Sequence, residues 1–190
     1  MRSLWWGLRI WWLRRRGAKA AARAAFRCHE KLRLRILGAF GARIGEGTRI
    51  KDPMIIMGRF HDFSNLTIGI RTYVGPDCLF DLSGPVRIGD RAAVSARCVF
   101  VTHLDVGAGS LKHVYPPSTG DVEVGDETWL GVNTTVLAGS RIGSGSMVAA
   151  GAVVRGDVPD AVLAAGVPAR VIRPIDAGEA QPPSDDEARA

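Results

Sequence analysis

The stretch VGDETWLGVNTTVLAGSRIGSGSMVAAGAVV, residues 124–154, decides the fold. Read in steps of six, its first positions are Val124, Leu130, Val136, Ile142, Val148 and Val154, all aliphatic. Four residues on in each hexad stand Thr128, Thr134, Ser140, Ser146 and Ala152, all small. Six is the wrong period for an α-helix and too regular for an ordinary sandwich. It predicts a solenoid of short strands joined by tight turns, with three hexads closing one triangular coil. Each aliphatic then stacks on its equivalent one coil away, and each small residue fits a crowded corner. Glycine follows many of the aliphatics, and the expectation is that it supplies unusual backbone angles in the turns.

Working outward, the same phase returns upstream. Ile44, Ile50 and Ile56 form one block, Ile68, Val74 and Phe80 a second, and Ile88, Val94 and Phe100 a third. The second-to-third step is two residues longer than a regular coil, which places a short insertion near Ser83-Gly84. Residues 102–121 lose the phase and read as a loop thrown out of the solenoid. Cys78 and Cys98 fall in small slots and are expected to be buried core thiols.

The 190 residues carry a formal net charge of +6, and that average hides a split. Residues 1–40 hold 11 of the 25 Lys and Arg with Glu30 as their one acid; the remainder is net acidic. Such a split argues for a basic arm on a mildly acidic body and against a uniformly basic nucleic-acid binder. Three Cys without a CxxC pair make neither a disulfide framework nor a zinc site, and the simple reading is a reducing, cytoplasmic compartment. No stretch reaches the ~18–20 uncharged apolar residues of a membrane span. The first residues read as a poor secretory signal, because Arg9 interrupts the apolar run.

Beyond the repeat, particular motifs carry a likeness. Ile88-Gly89-Asp90, Thr102-His103, residues 124–131, residues 149–154 and the closing Ala164-Ala-Gly-Val-Pro-Ala-Arg-Val-Ile172 resemble the hexapeptide-repeat acyltransferases. The likeness is to their sugar O-acetyltransferase branch, which includes galactoside, maltose and polysaccharide acetyltransferases. It covers about residues 41–175. It implies a left-handed parallel β-helix, a homotrimer with active sites between subunits, and acetyl-CoA as donor with no metal. By this resemblance His103 is the catalytic base that a weakly nucleophilic sugar hydroxyl needs. Asp105 is a candidate to orient its imidazole, and Asp81, one coil below, is a candidate to hold the acceptor; His113, later in the same loop, is a candidate to reach the substrate of this or a neighbouring subunit. Trp129 is expected to line the acetyl and pantetheine channel, and Ala150 and Gly151 to offer backbone groups to the pantetheine amides. An amide near Gly131 is a candidate oxyanion donor. Arg170 and Arg173 are expected at the CoA phosphates, with Arg155 standing in for a Lys that the family places near Gly156. Gly75 replaces a substrate-contacting Asn of the galactoside branch, which argues against a simple galactoside acceptor.

The expected organisation is thus an all-β, left-handed β-helix domain over 41–175 with its excursion at 102–121, a helical arm over 1–40 and a disordered acidic tail over 176–190. In the arm, Arg2, Arg9 and Arg16 form a polar stripe flanked by Trp5, Trp6, Trp11 and Trp12. That arrangement suits a peripheral anchor on the cytoplasmic, anionic side of a membrane, or a helix packed on the trimer or on a partner enzyme. The function expected is acetyl transfer from acetyl-CoA to a sugar hydroxyl in surface polysaccharide or glycolipid synthesis. The alternatives are N-acylation of an amino sugar or antibiotic, a γ-type carbonic anhydrase, which lacks its spaced His ligands here, and a non-catalytic scaffold.

Overall fold

A computed structural model describes residues 2–175, with side chains from Gly7 onward. The expected tail, 176–190, lies outside the described residues.

Three parallel sheets form the faces of a prism. Sheet I stacks Arg43–Ile44, Leu66–Ile68, Val86–Ile88, Val122–Val124, Ser140–Ile142 and Asp157–Val158. Sheet II stacks Arg49–Ile50, Tyr73–Val74, Ala93–Val94, Trp129–Leu130, Met147–Val148 and Val162–Gly166, closed by the antiparallel Ala169–Pro174. Sheet III stacks Met54–Met57, Cys78–Asp81, Val99–Phe100, Thr135–Val136 and Val153–Val154. The chain visits I, II and III in turn, so this is a parallel β-solenoid of about six turns.

The hexad phase is the register. Ile44, Ile68, Ile88, Val124, Ile142 and Val158 are successive partners in sheet I. Ile88 pairs directly with Val124, so the 102–121 excursion leaves the ladder unbroken. In sheet III, Phe80 and Phe100 stack with ring centroids 4.9 Å apart. The small slots are buried, and their hydroxyls are satisfied by carbonyls of the next coil: Thr72 Oγ1 donates to Gly89 O at 2.7 Å and Ser146 Oγ to Pro159 O at 2.7 Å. Cys78 and Cys98 are free, buried thiols that donate to Ser95 O and Gly131 O. The Cys78 thiol is pushed up, first by its hydrogen bond with Cys98 and then by burial.

Glycine serves the repeat in two ways: Gly47, Gly139, Gly145 and Gly151 supply the expected positive φ at corners, whereas the glycines that follow the aliphatics make room for the next coil. Gly131 does not sit at positive φ; a Cβ there would lie 2.5 Å from Ala150 N of the next coil. The other left-handed corner positions are held mostly by polar residues such as Arg91, Arg97, Glu127 and Asn133, with φ between 53° and 61°. They pair up the prism, Arg91 with Glu127 and Arg97 with Asn133.

The outward faces differ. Sheet I presents Arg43, Thr67, Arg87, Glu123, Arg141 and Asp157 in register, with Arg87 bridging Asp121 and Glu123. Sheet III presents Ile55, Leu79, Val99, Thr135 and Val153, and sheet II includes Tyr73, Trp129, Met147 and Leu163.

The arm is three helices: α1 (Arg2–Arg16), α2 (Ala18–Phe26) and α3 (Glu30–Ala39). Gly17, at φ 80°, separates the first two, and the His29 imidazole caps α3 by accepting the Lys31 N–H. The sequence reads 18–40 as one helix; the Arg27–His29 break divides it. α2 and α3 close the first coil through Ala21, Ala25, Ile36 and Leu37, all fully buried. An open solenoid end exposes its interior, which is why such folds need caps. Arg33 fastens this one. Fully buried, it donates to Ala25 O at 2.9 Å, Cys28 O at 2.8 Å and Ile50 O at 2.7 Å. α1 contributes Leu13 to the core and leaves Leu8, Trp11 and Trp12 exposed.

Candidate active site

The site lies at the corner where sheet III hands the chain back to sheet I. Phe80 and Phe100 are partners in sheet III, so Asp81 and Val101 leave the sheet one above the other. From there the upper strand runs on through Thr102 into the excursion, whose first strand, His103–Leu104, pairs antiparallel with Ser118–Thr119. The excursion is therefore a hairpin that holds His103 over the carboxylate below.

Asp81 is buried, with 1% of its surface exposed, yet fully bonded. Its Oδ2 accepts the Thr102 N–H at 2.8 Å and contacts His103 Nδ1 at 2.5 Å, and its Oδ1 accepts the Ser83 N–H at 3.1 Å. Burial alone would raise its pKa. The hydrogen bonds from His103, Thr102 and Ser83 outweigh that and hold it down at about 2. Asp81 is therefore ionised at neutral pH and can only accept. That places a proton of His103 on Nδ1, toward Asp81, and turns Nε2 away from it, with no protein partner among the described residues. Ser83 Oγ lies 3.4 Å from Nδ1 as a secondary contact. Thr102 Oγ1 donates to Asp81 O and accepts the Gly84 N–H, which locks the shelf beneath the imidazole.

His103 faces an open cleft of about 220 Å³, lined also by Arg59, Ser83, Leu104, Asp105, Pro117, Ser118 and Thr119. Two expectations change here. The group that orients the imidazole is Asp81, not Asp105. Asp105 instead pairs with Arg59 at 2.7 Å on the cleft wall, where the Gly107 N–H, despite a small opposing effect of desolvation, and then Arg59 hold its carboxyl below the usual range. Asp81 in turn is sealed under His103, with both oxygens engaged, so it has none to offer an acceptor. His113 ends the 3-10 turn Ser110–His113, exposed and outside this cleft.

The residues expected at the donor sit elsewhere. Trp129, 43% exposed, lies on sheet II and donates from Nε1 to Ser95 Oγ. Ala150 and Gly151 are exposed in the turn from sheet II to sheet III, and the Gly151 N–H is bonded to Val132 O. The Gly131 N–H donates to Val148 O at 2.8 Å, which removes it as an oxyanion donor. Arg155 is exposed on the His103 corner, two coils further along. Arg170 and Arg173 are exposed on the last strand, with guanidinium contacts to Ala169 O and Pro174 O. One chain therefore assembles His103, Asp81 and Asp105 but sets Trp129 on the face of sheet II and Ala150 and Gly151 on the corner between sheets II and III. Reading the sequence missed Ser83 and Arg59. Ser83 was signalled only by the insertion at Ser83-Gly84, and Arg59 only by the irregular stretch it begins.

The family described as bacterial transferase hexapeptide (six repeats) matches residues 121–156. Residues 121–156 are thus hexapeptide repeats similar to those of bacterial transferases. It is 38% identical over 100 residues to an Escherichia coli protein named as a lipopolysaccharide biosynthesis O-acetyl transferase, covering 46% of this chain and 50% of that one. It is 43% identical over 74 residues to a 2,3,4,5-tetrahydropyridine-2,6-dicarboxylate N-acetyltransferase of Clostridium perfringens, covering 39% of this chain and 31% of that one. The chain thus spans half or less of the curated relatives it matches. Among solved structures, a hexapeptide-repeat-containing acetyltransferase from Vibrio cholerae superposes with a TM-score of 0.75 at 23% identity, over 88% of this chain and 93% of that one. The same Vibrio protein has been solved with acetyl coenzyme A.

Proposed function

We propose that this hexapeptide-repeat chain is an acetyl-CoA-dependent O-acetyltransferase that modifies a hydroxyl of a sugar or glycan. The observation that carries the reading is the buried, ionised Asp81 beneath His103 at the mouth of an open cleft. His103 Nε2 takes the proton of the acceptor hydroxyl as its oxygen bonds the thioester carbonyl carbon. The carbon–sulfur bond breaks, and the imidazolium returns the proton to the departing sulfur. Asp81 keeps the ring in the productive tautomer and stabilises the imidazolium; it stays ionised throughout. The relatives named as an O-acetyl transferase and solved with acetyl coenzyme A support this reading.

Assembly as a homotrimer is part of the proposal. Sheet I is charged on its outside, whereas sheets II and III carry the apolar stripes, so the latter two faces are those to bury between copies. Such packing brings the Trp129 and Ala150–Gly151 side of one subunit toward His103 of its neighbour. The exposed indole of Trp129 and the cations Arg155, Arg170 and Arg173 then suit a pantetheine chain and nucleotide phosphates. A peripheral membrane location is also proposed, on exposed Leu8, Trp11 and Trp12 beside Arg14–Arg16. No helix among the described residues is long and apolar enough to cross a membrane. N-acylation is the second reading, favoured by the match to the Clostridium N-acetyltransferase.

The test is thiol release from acetyl-CoA with panels of glycans and amino sugars, comparing wild type and His103→Ala. Hydroxyl-dependent release that the substitution abolishes is expected. Release with amines alone points to the second reading, and unchanged release in the variant overturns the base assignment.

A further inference from the structure

A second concavity lies beside the cleft that His103 lines. α2 runs along Met54–Met57, the outer edge strand of sheet III, and leaves a groove of about 390 Å³ between them. Its floor is apolar: Met54, Ile56, Met57 and Phe60 from the solenoid side, Ala22 and Phe26 from the helix. Its rim carries two cations, Lys19 and Arg23. On α2 the lining positions are 19, 22, 23 and 26, one helical stripe, while Ala18, Ala21 and Ala25 face the core. No acid lines the groove, and neither Lys19 nor Arg23 has an ion-pair partner among the described residues.

The groove and the cleft meet along the chain at Gly58-Arg59. Gly58 belongs to the lining of the groove and the next residue, Arg59, to the wall beside His103. Gly58 is also where a side chain would collide with Asp81 Oδ1 and Ser83 Oγ, so the backbone passes directly over the shelf that holds the imidazole. An apolar trough with unpaired cations on its rim, beside the cleft that His103 lines, is complementary to one kind of molecule: a hydrocarbon chain ending in an anionic group that bears the reacting part.

We propose that the groove between α2 and residues 54–57 holds the hydrocarbon chain of an alkyl or isoprenyl phosphate, with the phosphate against Lys19 and Arg23. The acceptor is then a glycan carried on a lipid, with its hydroxyl presented to His103. What happens at His103 rests on the acetyl-transfer reading; binding in the groove does not.

The test titrates the full-length protein with dodecyl phosphate below its micelle concentration, with inorganic phosphate and dodecyltrimethylammonium as comparison arms. Saturable binding of dodecyl phosphate, one per chain and weakened by salt, is expected. Inorganic phosphate should give no comparable binding, and the cationic amphiphile should bind at least about tenfold more weakly, a difference of about 1.4 kcal/mol. Charge reversal by Lys19→Glu with Arg23→Glu should weaken dodecyl phosphate about tenfold or more and flatten its salt dependence. Met57→Trp, which fills the groove without changing charge, should weaken it while the melting temperature is kept. His103→Ala should bind as wild type does. Equal affinity across the groove variants, or inorganic phosphate binding as tightly as the dodecyl ester, overturns the proposal. So does a Met57→Trp variant that changes the oligomeric mass and not the affinity, since the groove is then an interface between copies. Wild type that binds dodecyl phosphate in the groove but acetylates nothing leaves the groove standing and removes the acetyl-transfer reading.

Discussion

The interior of the solenoid and the corner beneath His103 are built from one repeat and obey different rules. In the interior, the buried slots hold either an apolar side chain stacked on its equivalent or a small residue whose hydroxyl or thiol, where it has one, meets a carbonyl. At the corner after sheet III the same phase delivers a buried carboxylate, Asp81, with three donors converging on it. A buried charge is costly unless paired and hydrogen-bonded. The interior repeats because repetition buries surface cheaply; the corner departs because, on the function proposed, His103 must be held in one tautomer. The departure is confined to the turn where the excursion leaves, so the Ile88–Val124 ladder runs on beneath it.

The comparison can be broken at several points. Replacing the base should do most: His103→Ala is expected to lower turnover about 10²–10⁴-fold with little change in melting temperature, since the imidazole is partly exposed. A comparable fall in both activity and stability would place His103 with the interior residues. Asp81→Asn should also lower turnover, by about 10²-fold or more, because the amide can donate to Nδ1 and favour the wrong tautomer. Unlike the first variant, it should also lose stability at neutral pH.

The pH dependence follows from the direction of the Asp81 shift. Its pKa falls from 3.8 to about 2 on folding, so its contribution is present above about pH 4 and disappears as pH drops toward 2. That contribution is of order 2 kcal/mol. Denaturant melts of wild type and Asp81→Asn at pH 7 and pH 2 check the sign, since the gap between the two proteins should narrow in acid.

The repeat itself can be probed with a glycine pair. Gly131→Ala should destabilise by about 3 kcal/mol or more, because its Cβ would meet backbone of the next coil at 2.5 Å. Gly139→Ala, at φ 75° with open space around it, should lose only about 1 kcal/mol from the strained φ. Equal losses in chemical denaturation would mean that backbone angle, not close approach, is what the repeat asks of glycine. The smallest effect belongs to the Arg59–Asp105 pair, which is largely solvated on the Arg side. Asp105→Asn should change stability by less than about 1 kcal/mol, and any effect on catalysis should appear in KM and not in kcat.

Legibility divided along the same line. The hexads could be read because each position repeats its neighbour's environment: Val124, Leu130 and Val136 predict the burial of Ile142, Val148 and Val154 without any long-range information. The excursion could be bounded by loss of phase, and His103 stood out as the histidine at its mouth. The partner of His103 could not be picked in the same way. Asp105 is two residues away and Asp81 twenty-two, and only the lengthened step at Ser83-Gly84, together with the hairpin 103–119, brings the distant one beneath the ring. The corner residues ran against expectation for a similar reason. Sequence shows where glycine recurs, but whether it relieves φ or admits a neighbouring coil depends on how closely the coils stack.

The arm was legible as basic, helical and rich in Trp, and no further. Its role as a cap depends on Arg33, whose three carbonyl partners lie on α2, on the turn after it and on the first coil. The groove with Lys19 and Arg23 on its rim exists only because α2 lies against Met54–Met57. By itself, then, the sequence determined the period, the interior ladder and the place where the chain leaves it, since these are set by residues recurring at short, regular spacing. The tertiary structure decided which carboxylate ionises under His103, which corners the expected donor residues occupy and what the arm covers. Those depend on stacking distance and helix docking, which no local pattern encodes.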